Sequence, residues 1–218
     1  MKKFTEMTIK QISCWLENNT WDEQILNRII DDDSRRGVHE LVKKRLRELC
    51  KEKEEQARLN RILSFEKDLW EQGCEYIAGV DEAGKGPLAG PVAAAAVILP
   101  KNKKIKKVND SKQLAPHIRE ELFEQIKEEA LDTCCEVVDV SYIDTHNIYH
   151  AGLEAMKRAV SGLKIKAEYL LTDAYHIPGV SIPQKPINKG DTKSLSIACA
   201  SIVAKVTRDK IMEAYDRE

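Results

Sequence analysis

The sequence lacks the long apolar runs that membrane proteins carry. The longest such run, from Val92 to Leu99, lies between two prolines and is far shorter than the roughly 20 residues needed to span a bilayer. The basic first residues lead into no apolar stretch, so no secretory signal is visible. We therefore expect a soluble, cytoplasmic protein without a membrane partner.

Cysteine patterns and an excess of one charge are also missing. The six cysteines show no CxxC spacing and no clustering with histidine, which argues against a zinc site or a disulfide framework and favours a reducing compartment. There are 35 Lys and Arg against 36 Asp and Glu, for a net charge of −1. This balance does not exclude a nucleic-acid partner, because binding depends on where the charges lie.

Two regions of different character divide the chain. Residues 1–72 have the pattern of successive helices, the first of them capped by Thr8, and predict a small all-helical region. Residues 73–218 alternate strands with helices and predict an α/β domain, with antiparallel pairing where two strands follow each other through a short loop. Residues 35–47 concentrate basic side chains, which form either a solvated helix face or a surface that grips phosphates. These are Arg35, Arg36, Lys43, Lys44, Arg45 and Arg47.

Four acidic residues stand at the ends of predicted elements. Asp81 and Glu82 follow an apolar strand, Asp173 ends another, and Asp191 precedes the final helix. Each alone has a structural interpretation, as a strand end or a helix cap. Adjacent carboxylates in a partly buried place repel each other, and a hard cation such as Mg²⁺ removes that cost. Together the four are a suitable ligand set for two metal ions in phosphodiester cleavage.

The same stretch fits part of a phosphate-binding P-loop. Gly79-x-x-x-x-Gly84-Lys85 matches the first seven positions of that pattern. Gly86 stands where a hydroxyl residue would bind Mg²⁺, and Pro87 blocks the helix whose N-terminus would hold the phosphate. A P-loop nucleotide hydrolase is therefore the less favoured alternative.

The final helix, predicted from about residue 192, is apolar nearly all round but carries one polar stripe. The stripe consists of Ser194, Ser201, Lys205 and Arg208. A lysine in such a helix needs an anionic partner, which is either a carboxylate within the fold or a substrate phosphate in a cleft beside the acidic residues. We favour the phosphate.

Three motifs in this order resemble ribonuclease HII, the type 2 ribonuclease H. They are GVDEAGKGPLAGPV from residue 79, NDSKQL from residue 109 and ASIVAKVTRD from residue 200, and the resemblance covers about residues 76–215. It implies a ribonuclease H-like mixed β-sheet flanked by helices. It also implies cleavage of RNA in RNA–DNA hybrids, including a single ribonucleotide embedded in duplex DNA, with 5′-phosphate and 3′-hydroxyl products and a requirement for Mg²⁺ or Mn²⁺.

The resemblance assigns roles to residues. The family's four metal-binding acids correspond to Asp81, Glu82, Asp173 and Asp191. Gly84-Lys85-Gly86 matches the segment that reads the ribose 2′-hydroxyl. Backbone phosphates would be bound by Lys112, Ser201, Lys205 and Arg208. The expected partner is a hybrid or a ribonucleotide-containing duplex. No required protein partner is evident, so we expect a monomer. Residues 1–72 correspond to the helical extension of some members, a candidate accessory nucleic-acid-binding region.

Two departures from the family pattern leave an alternative open. Lys85 stands where the family has Arg, and an ammonium does not replace a planar, bidentate guanidinium like for like. The family also continues beyond the equivalent of Tyr215 with a segment whose tyrosine stacks on the junction sugar, whereas this sequence ends at Glu218. The alternative is a truncated, catalytically impaired hybrid-binding protein of the same fold.

Overall fold

The computed structural model describes residues 4–217, which form two compact units with their boundary between Arg58 and Leu59. The helices are α1 (Ile9–Asn18), α2 (Glu23–Asp32), α3 (Arg36–Ile62), α4 (Ser64–Glu71), α5 (Pro116–Glu129), α6 (Val140–Ser161) and α7 (Leu195–Tyr215). The strands are β1 (Ile77–Ala83), β2 (Val92–Ile98), β3 (Asp132–Val138), β4 (Tyr169–Asp173) and β5 (Gln184–Ile187). In this described part of the chain, no helix has both the length and the apolar character to cross a membrane.

The first unit is helical, as predicted. Thr8 begins α1 with a capping box: its hydroxyl accepts the backbone N–H of Gln11, and the Gln11 side chain accepts the backbone N–H of Thr8. The core of this unit is made by apolar side chains of the first three helices, which are Ile12, Leu16, Leu26, Ile29, Val38 and Val42.

Part of the basic stretch is used inside the first unit. The guanidinium of Arg35 forms an ion pair of 2.5 Å with the buried Asp33 and donates to the carbonyl of Met7 at 2.8 Å. Arg36 lies 3.0 Å from Glu40, and Arg45 pairs with Glu17 and Glu48. For these three arginines the structure shows pairing within the fold. The other basic side chains of the stretch 35–47, which are Lys43, Lys44 and Arg47, are exposed on α3.

The second unit is built on a five-stranded mixed sheet in the order β3-β2-β1-β4-β5. β1 pairs antiparallel with β2 and parallel with β4, β2 pairs antiparallel with β3, and β4 pairs parallel with β5. The predicted mixed sheet and its antiparallel pairing are confirmed. β5 contains Pro186 and lies at the edge of the sheet, a position where a strand tolerates proline.

Helices cover both faces of this sheet, with α5 and α7 on one face and α6 on the other. Successive strand residues point to opposite faces. Ile77 packs on the α7 side and Val80 on the α6 side, so the alternation places Asp81 towards α7 and Glu82 towards α6. The register that pairs Val80 with Thr172 places Asp81 beside the end of β4. Two predicted acidic residues therefore reach the same end of the sheet from opposite faces.

Some predicted boundaries differ from the structure. Asp81 and Glu82 lie inside β1, because their backbones pair with Ala95 and Ala94 of β2. Within the helical pattern predicted over residues 1–72, helices α3 and α4 meet at Leu63. The buried side chains of α4 pack in the core of the second unit, so α4 belongs to that compact unit. The division at residue 72 stays a prediction.

Two further helices have features that the sequence pattern did not predict. Helix α6 contains a kink at Asn147, where φ is 68°. The final helix begins at Leu195 with Ser194 as its N-cap. Asp191 lies before it in a 3₁₀ turn, Gly190–Thr192, so the interpretation of Asp191 as a helix cap is wrong.

Candidate active site

A single cavity of about 250 Å³ brings together every residue that the sequence placed in the site. It lies at the carboxyl ends of β1 and β4, beside α7 and the loop that joins β1 to β2. The predicted residues in its lining are Asp81, Glu82, Gly84, Lys85, Gly86, Lys112, Asp173, Asp191, Ser201, Lys205 and Arg208. Ser111 also lines the cavity, although it was not among the predicted site residues. It could have been found from the sequence because it lies within the NDSKQL motif that begins at residue 109.

Asp81 is buried on the central strand, with 5% of its surface exposed. Its Oδ1 accepts the backbone N–H of Glu82 at 2.7 Å, and the hydroxyl of Ser201 on α7 donates to its carboxylate. Burial raises the pKa of Asp81 well above its usual range, and the charges of Glu82 and Asp173 raise it further. A cation in the cavity would favour the ionised form of this carboxyl group.

Glu82 is also largely buried, and its two oxygens have different surroundings. Oε1 lies 2.8 Å from Nζ of Lys85. Oε2 is buried and accepts no hydrogen bond from the residues that the structure describes. Burial raises the pKa of Glu82, while the neighbouring Lys85 opposes that rise. One oxygen of this carboxylate is thus left for a ligand from outside the chain.

The other two acids come from neighbouring segments. Oδ1 of Asp173 accepts the backbone N–H of Gly190 at 2.6 Å, and this bond ties the end of β4 to the 3₁₀ turn that carries Asp191. Burial raises the pKa of Asp191, as do the charges of Asp110 and Asp173. Like charges are therefore crowded at this end of the sheet.

The donor set fits a divalent cation. It consists of carboxylate oxygens, the ligands that Mg²⁺ and Mn²⁺ prefer, and it includes the unpaired buried oxygen of Glu82. As the side chains are placed, no three His, Cys, Asp or Glu residues between 4 and 217 are grouped as a ready-made metal site. Lys85 supplies the positive charge beside Glu82 in this arrangement.

The loop from Gly84 to Pro91 forms one wall of the cavity and is held by Arg208. This arginine is 5% exposed; Nε donates to the carbonyl of Pro91 at 2.9 Å and Nη2 to that of Ala89 at 2.8 Å. Gly84 and Gly90 have φ values of 117° and 89°, which favour glycine. Arg208 thus fixes the shape of the glycine loop, and its predicted phosphate contact stays a prediction.

Lys205 has a carboxylate partner within the fold. Its Nζ lies 2.5 Å from Oδ1 of Asp209, so the salt bridge that was one of its two interpretations is present. Asp209 also lies 3.6 Å from Nη2 of Arg119, whose Nη1 donates to the carbonyl of Ser111 at 2.7 Å. Arg119, which the sequence did not single out, therefore ties the loop carrying Lys112 to α7.

The segment after Lys85 is incompatible with a P-loop. The chain passes from the loop Gly84–Pro91 directly into β2, where a P-loop requires a helix whose N-terminus faces the phosphate. The P-loop alternative is therefore wrong.

Comparison with known proteins gives matches over both regions of the chain. Residues 78–218 match the ribonuclease HII family, and residues 8–70 match the ribonuclease HII N-terminal domain. Ribonuclease HII of Clostridioides difficile is 49% identical over 209 residues, which are 96% of this chain and 81% of that protein. Ribonuclease HII of Myxococcus xanthus is 50% identical over 188 residues, which are 86% of this chain and 64% of that protein.

Solved structures with the same fold include two archaeal enzymes. Ribonuclease H2 of Pyrococcus horikoshii has a TM-score of 0.58 at 28% identity, over 66% of this chain and 76% of that chain. Ribonuclease HII of Archaeoglobus fulgidus, solved in complex with PCNA, has a TM-score of 0.51 at 28% identity, over 65% of this chain and 77% of that chain. The expected ribonuclease H-like fold and the expected enzyme class are confirmed. The chain belongs to the ribonuclease HII family.

Proposed function

We propose that this protein is an endonuclease that hydrolyses the RNA strand of RNA–DNA hybrids, including a single ribonucleotide embedded in duplex DNA. The observation that carries this proposal is the cavity in which four carboxylates meet a glycine loop and basic side chains. Membership of the ribonuclease HII family supports the reaction class, and the lining of the cavity supports the assignment of residues.

The four carboxylates would hold Mg²⁺ or Mn²⁺. Such ions would supply the positive charge that activates an attacking water and stabilises the leaving 3′-oxygen, and the expected products carry 5′-phosphate and 3′-hydroxyl ends. The chain's own contribution is to hold the acidic oxygens in place. Ser201 orients Asp81, and the backbone N–H of Gly190 orients Asp173. No side-chain nucleophile is needed in this scheme.

The glycine loop would recognise the ribose. A Cβ added to Gly86 would meet no atom within 4 Å, so its backbone is accessible from the cavity to a 2′-hydroxyl group, the group that distinguishes RNA from DNA. Lys112 is exposed at the cavity rim and would bind a backbone phosphate as a point charge. The loop would therefore distinguish RNA from DNA, and Lys112 at the rim would position the nucleic acid without reading its sequence.

The first unit would add affinity without sequence preference. Lys43, Lys44 and Arg47 are exposed on α3, and their spacing puts the first and last on the same side of the helix. Phosphates of a duplex are the chemistry that such a group recognises. This supports an accessory nucleic-acid-binding role for residues 1–72.

The expectations of a monomer without a required protein partner and of a cytoplasmic location stay predictions. The archaeal structure solved with PCNA shows that a similar protein can bind a protein partner.

A cleavage assay with mapped ends tests the proposed function. The substrates are a DNA duplex with one ribonucleotide, an RNA–DNA hybrid, an all-DNA duplex and single-stranded RNA, each with Mg²⁺, Mn²⁺ or EDTA. We expect cleavage of the first two only, with metal only, leaving 3′-hydroxyl ends. Binding of the hybrid without cleavage in either metal would support the catalytically impaired alternative, and absence of both binding and cleavage would overturn the proposal.

A further inference from the structure

We propose that Lys85 is a resident cation of the acidic cavity, which competes with the divalent cation for Glu82. The inference rests on the proposed function, since it concerns the same carboxylates. Nζ of Lys85 lies 2.8 Å from Oε1 of Glu82, and the lysine side chain is only 19% exposed. An ion pair that is largely removed from water is screened less than a surface pair.

A second contact fixes the ammonium group from the other side. Nζ lies 4.0 Å from the centroid of the Tyr175 ring, a geometry in which the ring face attracts a cation. Tyr175 is itself held in place. Its carbonyl accepts the hydroxyl of Thr172 at 2.6 Å, and its ring packs edge-on against Tyr149 at 5.5 Å. The ammonium therefore has two partners, one anionic and one aromatic.

The path of the lysine stem is set by Gly152 of α6. A Cβ added at Gly152 would fall 2.2 Å from Cε of Lys85 and 2.9 Å from Nζ. The nearest atoms to such a Cβ all belong to this one flexible side chain. The absence of a side chain at residue 152 thus gives Lys85 the space that leads to Glu82.

This arrangement has a consequence for metal binding. Oε1 of Glu82 faces an ammonium group, and a divalent cation at the same carboxylate would meet a like charge. When an ammonium group and a metal ion compete for one carboxylate, each weakens the binding of the other. Lys85 therefore lowers the affinity of the cavity for metal while it holds Glu82. Once displaced, its ammonium is available for an anionic group such as a phosphate.

Calorimetric titration of the full chain with Mn²⁺, without substrate, tests this inference. Lys85→Met keeps the length of the side chain and removes its charge, and we expect it to bind Mn²⁺ at least about five-fold more tightly than the wild type. The matched control is Lys112→Met, which removes the same charge from the exposed rim of the same cavity. If the gain in Lys85→Met is no larger than in the control, the inference is overturned.

Gly152→Ala provides a second variant that changes no charge. Its methyl group would occupy the position of the lysine stem, and alanine is favourable in a helix. We expect tighter Mn²⁺ binding here too; an affinity equal to that of the wild type would contradict the proposed path of Lys85. Failure of the wild type to bind Mn²⁺ would overturn the proposed function as well. Normal wild-type binding with no gain in Lys85→Met overturns the role of Lys85 alone.

Discussion

Two regions along α7 bury a carboxylate in different ways. At the start of the helix, Glu66 of α4 is 2% exposed. Its Oε1 accepts three hydrogen bonds, from the hydroxyl of Ser194 at 2.6 Å and from the backbone N–H and hydroxyl of Ser196 at 3.0 and 2.7 Å. The N-terminal end of a helix also favours a negative charge. Further along, Asp81 is buried beside Ser201, but its other neighbours include two acidic side chains.

The two carboxylates differ in the groups that surround them, although Oε2 of Glu66 is buried and has no hydrogen-bond partner among the described residues. Burial raises the pKa of both groups. For Glu66 the next contributions are hydrogen bonds that favour the charged form, whereas for Asp81 they are the charges of Glu82 and Asp173, which oppose it. We therefore assign Glu66 a structural role and propose that a cation from outside the chain completes the region of Asp81. Substitutions in the two regions should have opposite consequences.

The largest expected effect is on catalysis. Asp81→Asn removes one charged oxygen donor from the proposed metal site, so cleavage of a hybrid with Mg²⁺ should fall by more than about 100-fold, since even groups that only support a metal ligand are worth 10- to 100-fold. Binding of the hybrid in EDTA should be retained. Asp139→Asn, at the N-cap of α6, is the control, because Asn caps a helix as well as Asp. Wild-type cleavage by Asp81→Asn would refute the metal assignment.

The next effect concerns folding stability. Glu66→Ala removes the acceptor of three hydrogen bonds and leaves buried donors unpaired, so the free energy of unfolding should fall by about 2–4 kcal/mol. Because this site binds no metal in our account, the loss should be the same in EDTA and in Mg²⁺. Urea denaturation under both conditions measures it, with Glu66→Gln as a milder comparison that keeps the accepting oxygen. A loss that Mg²⁺ restores would contradict a purely structural role.

In the absence of metal, Asp81→Asn should raise the free energy of unfolding, whereas Glu66→Ala should lower it. A raised folded-state pKa means that the folded chain binds more protons than the unfolded chain, so the stability of the wild type falls as pH rises from about 4 towards that raised pKa. In EDTA at pH 7, Asp81→Asn should therefore be more stable than the wild type. Denaturation at pH 4 and pH 7 checks the sign, since the gain should shrink at pH 4. A gain that grows at low pH would be inconsistent with the raised pKa.

The smallest effect belongs to the first unit. Replacing Lys43, Lys44 and Arg47 together by Gln should weaken hybrid binding several-fold and reduce the slope of log affinity against log salt by up to about 3. Cleavage of substrate at saturating concentration should be unchanged. Fluorescence anisotropy across a salt series measures this, with Arg28→Gln on α2 as the control. An unchanged salt slope would remove the proposed accessory role.

Whether a site residue could be predicted from the sequence depends on whether its role follows from its local position in the chain or from contacts with distant segments. The convergence of Asp81, Asp173 and Asp191 in one cavity was predictable because each stands at or near the end of a predicted element, and neighbouring strands of one sheet bring such ends together. Glu66 and Arg119 were not, because their roles arise from contacts with distant segments; Glu66 lies 130 residues before Ser196. The hydrogen bonds of Arg208 to the glycine loop could not be predicted either, since a basic residue on a polar stripe is also compatible with phosphate binding.

The central claim is that the Asp81 region, unlike the Glu66 region, is completed by a divalent cation. Thermal unfolding of the wild type, Asp81→Asn and Glu66→Gln, each in EDTA and in Mn²⁺, tests it most directly, because a ligand that binds only the folded state raises the melting temperature. The account predicts a Mn²⁺-dependent rise in the wild type and in Glu66→Gln, and a much smaller rise in Asp81→Asn. An equal rise in all three proteins would contradict it.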